Sequence, residues 1–301
     1  LQNFIEKEKI EMVHFPVTFF THLQLPAFNK NDLKKFLTVA TTLALKAGDI
    51  QKRACGKKFK IDFKGSGTND LVTEIDKKCE AMITKELAKA FPDHGILGEE
   101  GAKKNSGHDF TWIIDPVDGT TNFAHGHPYF AVSIGLAYQG TPIIGVVYAP
   151  LLNELYTAAQ GQGAYLNNKK IHVSLTKKLQ FSLLSTGFSY KRRGINLPNF
   201  EHFLYSTQGI RRGGAASIDL CYVAAGRIDG YWELGLKPWD ITAGVCILKE
   251  AGGRTTSMAG QKLDLYAKNI LATNGKIHKE MLNFFTQAPE LAHEIEEAKN
   301  L

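Results

Sequence analysis

Three features of the sequence predict an α+β fold, a layered helix-and-sheet architecture with mixed and antiparallel sheets. Helix-period apolar segments recur along the chain, closely spaced strand-like segments fill the region from Phe130 to Ile171, and helices alternate with strands in the second half. The closely spaced segments read as an antiparallel meander, which argues against a purely parallel doubly wound sheet. A chain of 301 residues is long enough for one large domain or two modest ones, each with a sizeable core. Its 44% hydrophobic and 22% charged residues exclude disorder for the bulk of it.

Residues 1–31 are read as an N-terminal extension to which no element is assigned, and residues 32–295 as the folded domain. Met12–Phe28 is apolar but interrupted by His14, Pro16, His22, Gln24 and Pro26. That falls short of the roughly 20 uninterrupted apolar residues a membrane helix takes. The order of basic, apolar and small-residue segments that marks a signal peptide is also missing, so no membrane association is expected. The domain opens at Asn31-Asp32, a helix-capping pair, and Leu33, Phe36, Leu37, Ala40, Leu43, Ala44 and Ala47 then follow the three- and four-residue steps of an amphipathic helix to Ile50. Phe59–Phe63 alternates like a half-exposed strand, and Gly65–Asp70 has the composition of a mobile loop.

Thr73-Glu74-Ile75-Asp76 has the spacing of a capping box, and Ile75, Cys79, Met82, Ile83, Leu87 and Ala90 form the apolar face of the helix behind it. A short strand, Gly95–Gly98, delivers Glu99 and Glu100 at its end. Trp112-Ile113-Ile114 reads as a buried strand stopped by Asp115-Pro116. The meander consists of Ala131–Tyr138, Ile143–Tyr148, Glu154–Ala158 and Ala164–Leu166. Helices are expected at Ser217–Ala225 and Ile241–Ala251, and strands at Asp229–Glu233 and Ile270–Ala272.

Four cysteines, Cys55, Cys79, Cys221 and Cys246, lie far apart without a C-x-x-C pair, so neither a zinc ribbon nor a disulfide framework is expected and a reducing cytoplasm fits. The net charge of +6 is spread over pairs such as Lys34-Lys35, Lys77-Lys78, Lys169-Lys170 and Arg192-Arg193. Without a basic block or an aromatic-interleaved patch, no direct nucleic-acid binding is expected.

Chemistry concentrates in carboxylates at the ends of predicted elements. In Asp115-Pro116-Val117-Asp118-Gly119-Thr120-Thr121, an Asp-Gly turn would fold Asp118 back beside Asp115. Two such anions repel by about 4 kcal/mol at 4 Å with an effective dielectric near 20, so the pair calls for a cation. Oxygen ligands favour a hard ion such as Mg2+ over zinc. The same spacing equally describes a turn with an Asx cap. Glu99 and Glu100 read as a further ligand or as solvated surface. Asp240, in Pro238-Trp239-Asp240, begins an apolar-periodic helix, where a carboxylate suits either the helix dipole or a metal. Asp76 has the capping box as its simplest role. His125 and His127, just past the turn, read as structural rather than as ligands, and Arg211-Arg212 as solvated charge or a phosphate or subunit contact.

Four motifs in order carry a resemblance. They are Asp70-Leu71-Val72-Thr73-Glu74-Ile75-Asp76; Gly98-Glu99-Glu100; Trp112 to Phe123; and Pro238-Trp239-Asp240-Ile241-Thr242-Ala243-Gly244, the last followed by Glu250-Ala251-Gly252-Gly253. On these the sequence resembles the inositol monophosphatases, within the lithium-sensitive, magnesium-dependent sugar phosphatases. Arg211–Leu220 and Ala224–Arg227 resemble bacterial members in particular. The resemblance implies an α-β-α-β-α sandwich and a Mg2+-dependent phosphomonoesterase acting on myo-inositol monophosphates. Glu99, Asp115, the Val117 carbonyl, Asp118 and Asp240 would bind two or three Mg2+, and Thr120 backed by Asp76 would activate water, with Glu99 also in the catalytic set. Gly119 and Thr120 would hold the phosphate; Asp118, Ala216, Glu233 and Asp240 would line the sugar side.

Lys64 corresponds to a mobile-loop lysine of the family, although this loop is a residue longer than in the animal enzymes, and Glu100 supports its neighbour. Histidinol phosphatase and 3'-phosphoadenosine 5'-phosphate phosphatase share this metal core; the carboxylate of Glu233 favours a polyol phosphate as the small-molecule partner. The family resemblance also implies a homodimer. From another functional class, it raises an interaction role in a transcription complex.

Overall fold

The computed structural model describes residues 28–64, 71–104, 108–189 and 193–287. The reading of residues 65–70 as a mobile loop lies outside the described residues, as do residues 1–27 of the extension and residues 288–295 of the domain.

Helix α1 (Lys30–Ala54) is followed by the short pair β1 (Ile61–Phe63) and β2 (Leu71–Thr73) and by helix α2 (Glu74–Ala90). Next come β3 (Gly95–Gly98), β4 (Lys103–Lys104), β5 (Phe110–Asp118) and the single-turn α3 (Thr120–Ala124). The meander is β6 (Ala131–Tyr138), β7 (Thr141–Ala149), β8 (Glu154–Ala159), β9 (Ala164–Leu166) and β10 (Lys169–Ile171). The second half runs β11 (Leu183–Thr186), α4 (Leu197–Ser206), β12 (Gly209–Arg211), α5 (Ala216–Ala224) and β13 (Gly230–Leu234). It closes with α6 (Pro238–Glu250), β14 (Arg254–Thr256), β15 (Asn269–Thr273) and α7 (His278–Gln287).

An eight-stranded sheet has the order β10-β9-β8-β7-β6-β5-β3-β4, and a five-stranded sheet the order β12-β11-β13-β15-β14. Both are mixed. In the first, only β3 and β5 run parallel; in the second, β11 runs parallel to β12 and β13 while β15 is antiparallel to its neighbours.

Side-chain alternation explains the layers. Trp112 and Ile114 of β5 face one way, into a core with Phe36, Leu43, Ile83 and Leu87 of α1 and α2; Ile113 faces the other way, toward α5 and α6. In the small sheet, Tyr231, Ile270 and Ala272 meet that same α5–α6 layer, whereas Trp232 and Leu271 pack with Phe203 of α4 and Met281 and Phe285 of α7. The result is the expected five layers, α-β-α-β-α. Helices α5 and α6 are buried on both sides, which explains why Ile241 to Leu248 is apolar around most of its circumference.

Several boundaries differ from the sequence reading. Helix α1 is capped by Asn29, not by Asn31-Asp32: the Asn29 side chain accepts from Asn31 N, and Asp32 Oδ2 accepts from Asn29 N, each over less than 3 Å (2.7 and 2.8 Å). Phe28 just before it packs edge-on against Phe110 and Tyr138. Pro116 does not stop its strand. β5 continues to Asp118 because the register shifts between Asp115 and Asp118, and such a bulge leaves an unpaired position where proline's missing N–H is harmless. The strand expected from Phe59 begins only at Ile61. Helices α4 and α7 and several short edge strands had no strong sequence signal, since the helices bury one stripe only and the strands span three residues or fewer.

Helix α6 lies so close to the large sheet that a Cβ on Gly145 would stand 2.3 Å from the Ala243 carbonyl oxygen. That atom is backbone and cannot swing aside. Gly145→Ala is therefore expected to destabilise the fold by about 2–3 kcal/mol, the cost of overpacking, measured by chemical denaturation. Unchanged stability would mean the helix can retreat from the sheet.

His94 stacks on Phe91 and Phe110, with centroids at 5.0 and 4.8 Å, and its Nδ1 is buried without a hydrogen-bond partner among the described residues. Burial pushes its pKa down to about 4. The unfolded chain, with an ordinary imidazole near 6.5, then binds more protons between these values. Stability from His94 is complete above that upper value and is lost as the pH falls toward the lower. His94→Phe keeps the aromatic stack and removes the titration. Relative to the parent, it should gain about 1 kcal/mol between pH 7 and pH 4.5, less than full burial would imply because the ring is partly exposed. Thermal melts across that range that ran parallel for the two proteins would contradict it.

Candidate active site

A cavity of about 250 Å3 opens where the two sheets and the central helices meet, lined by Lys64, Glu99, Asp115, Val117, Asp118, Gly119, Thr120, Ala216, Glu233 and Asp240 among others. Local structure explains how three elements deliver four carboxylates to one place. Glu99 directly follows β3, and Asp115 and Asp118 flank the bulge of β5, which turns both toward the cavity despite their odd spacing. Asp240 sits in the first turn of α6, where its Oδ2 accepts from Lys237 N at 2.7 Å.

Asp118 Oδ2 accepts from both the backbone N and the hydroxyl of Ser217, at 2.7 and 2.5 Å. It thereby caps α5, whose own N-cap residue, Ala215, has no side-chain acceptor. Gly119 adopts φ +91°, in the left-handed region that favours glycine, and starts α3 without a side-chain cap, so the first turn of that helix lines the cavity unobstructed.

Behind the wall, Asp76 closes the predicted capping box of α2. Its Oδ2 accepts from Thr73 N at 2.9 Å and from the Thr73 hydroxyl. Its Oδ1 faces Thr120, whose Oγ1 lies 3.0 Å from it and also 3.0 Å from the Val117 carbonyl oxygen. Thr120 has one proton, so it donates to one of these at a time. The capping carboxylate thus reaches the cavity through a hydroxyl.

The electrostatics are those of crowded anions. Burial raises Asp115 well above the usual carboxylate range, and Glu99, Asp118 and Asp240 raise it further. Burial likewise pushes Asp118 up to about 7, against the Ser217 hydrogen bonds, and holds Asp240 well above its ordinary value with Glu99 adding to it. Asp76 is raised mainly by burial, opposed by the Thr73 hydroxyl. Lys64 Nζ bridges Glu99 Oε1 at 2.8 Å and Glu100 Oε1 at 2.7 Å. Burial alone would pull the lysine pKa down, but the two glutamates outweigh it and hold the ammonium above its ordinary value. Burial pushes Glu100 up to about 7 despite this contact.

Three cationic side chains on the wall, Lys64, Arg212 and Lys237, do not balance the five carboxylates of Glu99, Asp115, Asp118, Glu233 and Asp240. Their donor set is entirely oxygen, with the Val117 carbonyl beside it, and suits a hard divalent cation. Among the described residues, no three Asp, Glu, His or Cys side chains are gathered closely enough to hold a metal ion by themselves.

The structure brings together Glu99, Asp115, Val117, Asp118, Gly119, Thr120, Ala216, Glu233, Asp240 and Lys64 on the cavity wall; Asp76 and Glu100 lie behind it. His125 and His127 are exposed and do not line the cavity, and Arg212 does. Sequence reasoning missed Ser217, Gly187, Phe188, Ser189, Lys237 and Trp239 as wall or support residues. Only Ser217 had a signal, as a hydroxyl in the first turn of a helix that lacks its own cap.

The family model described as the inositol monophosphatase family matches residues 32–289. An inositol-1-monophosphatase of Synechocystis sp. is 46% identical over 274 residues, covering 90% of this chain and 95% of its own. A protein of Pseudomonas aeruginosa named Nus factor SuhB is 42% identical over 258 residues, covering 83% of this chain and 95% of its own. The solved structure of an inositol monophosphatase from Anabaena (Nostoc) sp. superposes with a TM-score of 0.79 at 43% identity, covering 87% of this chain and 99% of that one.

Proposed function

The chain belongs to the inositol monophosphatase family, as a phosphatase, and on that premise we propose that it hydrolyses myo-inositol monophosphates to inositol and phosphate with Mg2+ as cofactor. The observation that carries this reading is the Thr120 hydroxyl, held between Asp76 and the Val117 carbonyl in a cavity whose wall also carries Glu99, Asp115, Asp118 and Asp240. Glu99, Asp115, Asp118, Asp240 and the Val117 carbonyl would hold two or three Mg2+, which supply Lewis-acid polarisation of the phosphate and a lowered pKa for bound water.

The protein's own groups do the rest. Thr120 donates its proton to Asp76 Oδ1 and keeps lone pairs for a water, so a proton taken from that water can pass through the hydroxyl to a carboxylate already poised by burial to accept it. Gly119 and Thr120 offer backbone N–H groups to phosphate oxygens at the uncapped start of α3. Asp118, Glu233 and Asp240 accept from sugar hydroxyls, while Ala216 leaves room for the ring. Lys64 and Glu100 tune the charge at Glu99. A homodimer and a cytoplasmic setting belong to the same reading.

A substrate panel tests it. Phosphate release with Mg2+ should be faster from inositol monophosphates than from histidinol phosphate or 3'-phosphoadenosine 5'-phosphate, and millimolar lithium should suppress it. Preference for either competitor, or insensitivity to lithium, would move the protein to another branch of the superfamily.

A second reading is favoured by relatives from Pseudomonas aeruginosa and Haemophilus influenzae that carry the name Nus factor SuhB. If this chain also joins a transcription complex, RNA polymerase or its factors should be captured equally by the wild type and by Asp115→Asn. A clean pulldown with both would remove that role.

A further inference from the structure

Glu233 is held by a set of neighbours of which Gly187 reaches the cavity wall and Tyr231 and Asn196 do not. Its Oε2 accepts from the hydroxyl of Tyr231, two residues earlier on β13 and therefore on the same face of the sheet, and Tyr231 is fully buried. From the opposite side the carboxyl lies flat against the backbone of Gly187. A Cβ at Gly187 would stand 2.1 to 2.2 Å from the carboxyl carbon and both oxygens of Glu233, so any side chain here would push that carboxyl aside, although the φ of Gly187 is not left-handed.

The Gly187 carbonyl is pinned in turn by Asn196, which is 1% exposed. Asn196 Nδ2 donates to Gly187 O and to Thr186 Oγ1, both at 2.8 Å, and its Oδ1 accepts from Trp232 Nε1 at 2.7 Å and from Asn199 Nδ2 at 3.1 Å. Indole N–H is only a donor, which fixes the amide orientation, and all four hydrogen-bonding capacities of the side chain are used. The Thr186 hydroxyl passes the link back to β13 by donating to Trp232 O at 2.7 Å. A closed loop thus runs from Asn196 through Thr186 and Gly187 to Glu233, and back through Tyr231 and Trp232.

We propose that Asn196, Gly187 and Tyr231 form a bracket that sets the direction of the Glu233 carboxylate and thereby determines selectivity for hydroxyl-bearing phosphate esters. They are positioning residues: neither Asn196 nor Tyr231 lines the cavity, and Gly187 acts through the space it leaves for the Glu233 carboxyl. A carboxylate with one oxygen occupied by Tyr231 presents its remaining lone pairs in one direction. Releasing either restraint lets it rotate, and a hydroxyl acceptor that is misdirected loses discrimination without touching the reacting phosphate. This rests on the reading of Glu233 as the sugar-side residue.

The test compares inositol 1-phosphate with phenyl phosphate, which has no hydroxyl, for the Mg2+-loaded wild type, Tyr231→Phe and Asn196→Ala. The wild type should prefer inositol 1-phosphate; no preference would defeat the functional reading, and the bracket with it. Each variant should raise KM for inositol 1-phosphate about tenfold, while kcat and the phenyl phosphate kcat/KM stay within about twofold of wild type. Parallel losses on both substrates, or an unchanged ratio between them, would overturn the bracket while leaving the functional reading intact. Should Asn196→Ala fail to fold, Tyr231→Phe removes a single oxygen and reads the same ratio.

Discussion

Asp115→Asn should lower the rate of phosphate release about a thousandfold, the upper range for removing one charge-stabilising group from an active site. The substitution is chosen because it preserves geometry. Asp115 Oδ1 accepts from Val117 N at 3.0 Å, and an amide oxygen in the same place accepts that bond equally well. What disappears is one negative charge among Glu99, Asp118 and Asp240, the groups that press on Asp115 from three sides. A cation that depends on the four acting together loses its central anchor. A second readout separates this from misfolding. Mg2+ should raise the melting temperature of the parent by selective binding to the folded state and leave that of the variant nearly unmoved. With metal absent, the variant should melt no lower than the parent, because a neutral amide escapes the burial penalty of a carboxylate. Near-full Mg2+-dependent activity in Asp115→Asn would refute the assignment of this residue as the centre of the cation site.

Thr120→Val should lower the rate by about a hundredfold to ten-thousandfold, the span expected when a positioned acid–base group is lost. Valine matches threonine in shape and β-branching, so α3 can begin as before. The Asp76 carboxylate keeps both bonds to Thr73 and loses only the donor at Oδ1, for a stability cost of about 1 kcal/mol. Thr120→Ser, which restores a hydroxyl without the methyl group, should recover the rate to within about tenfold of the parent. Stopped or steady-state phosphate release on the three proteins decides it. If valine were tolerated, the proton path through Thr120 to Asp76 would be wrong, and a carboxylate reaching water directly would have to replace it.

Much of this site was legible residue by residue. Thr73-Glu74-Ile75-Asp76 announced a capping box, and a capping box is a local object: its bonds form wherever that tetrapeptide starts a helix. The Asp118-Gly119 pair announced a turn, and the structure places Gly119 at positive φ as that turn requires. Pro116 was misread. Its missing N–H does end an ordinary strand, but a bulge absorbs it, and bulges follow from pairing with β6 rather than from the residue itself. Gly187 had no signal at all, because its need for a bare backbone arises from Glu233, a residue 46 positions away on a neighbouring strand. Asn196 was silent for the same reason, since its partner Trp232 is distant in sequence, and Ser217, legible as a hydroxyl in the first turn of an uncapped helix, gave no hint of its partner Asp118.

The sequence by itself determined the long helices α1, α2, α5 and α6 and the strands of the meander, the capped start of α2, and which oxygen-bearing side chains are available for a hard cation. These depend on periodicity, capping and turn chemistry, interactions that span a few residues. Only the tertiary structure decided that Asp76 serves a hydroxyl as well as a helix, that Asp118 caps a helix it does not belong to, and that Glu233 is clamped between Tyr231 and Gly187. Those roles come from packing two sheets across a shared helical layer. That packing forces anions from four separate elements into one low-dielectric space, where each one's charge becomes its neighbours' concern.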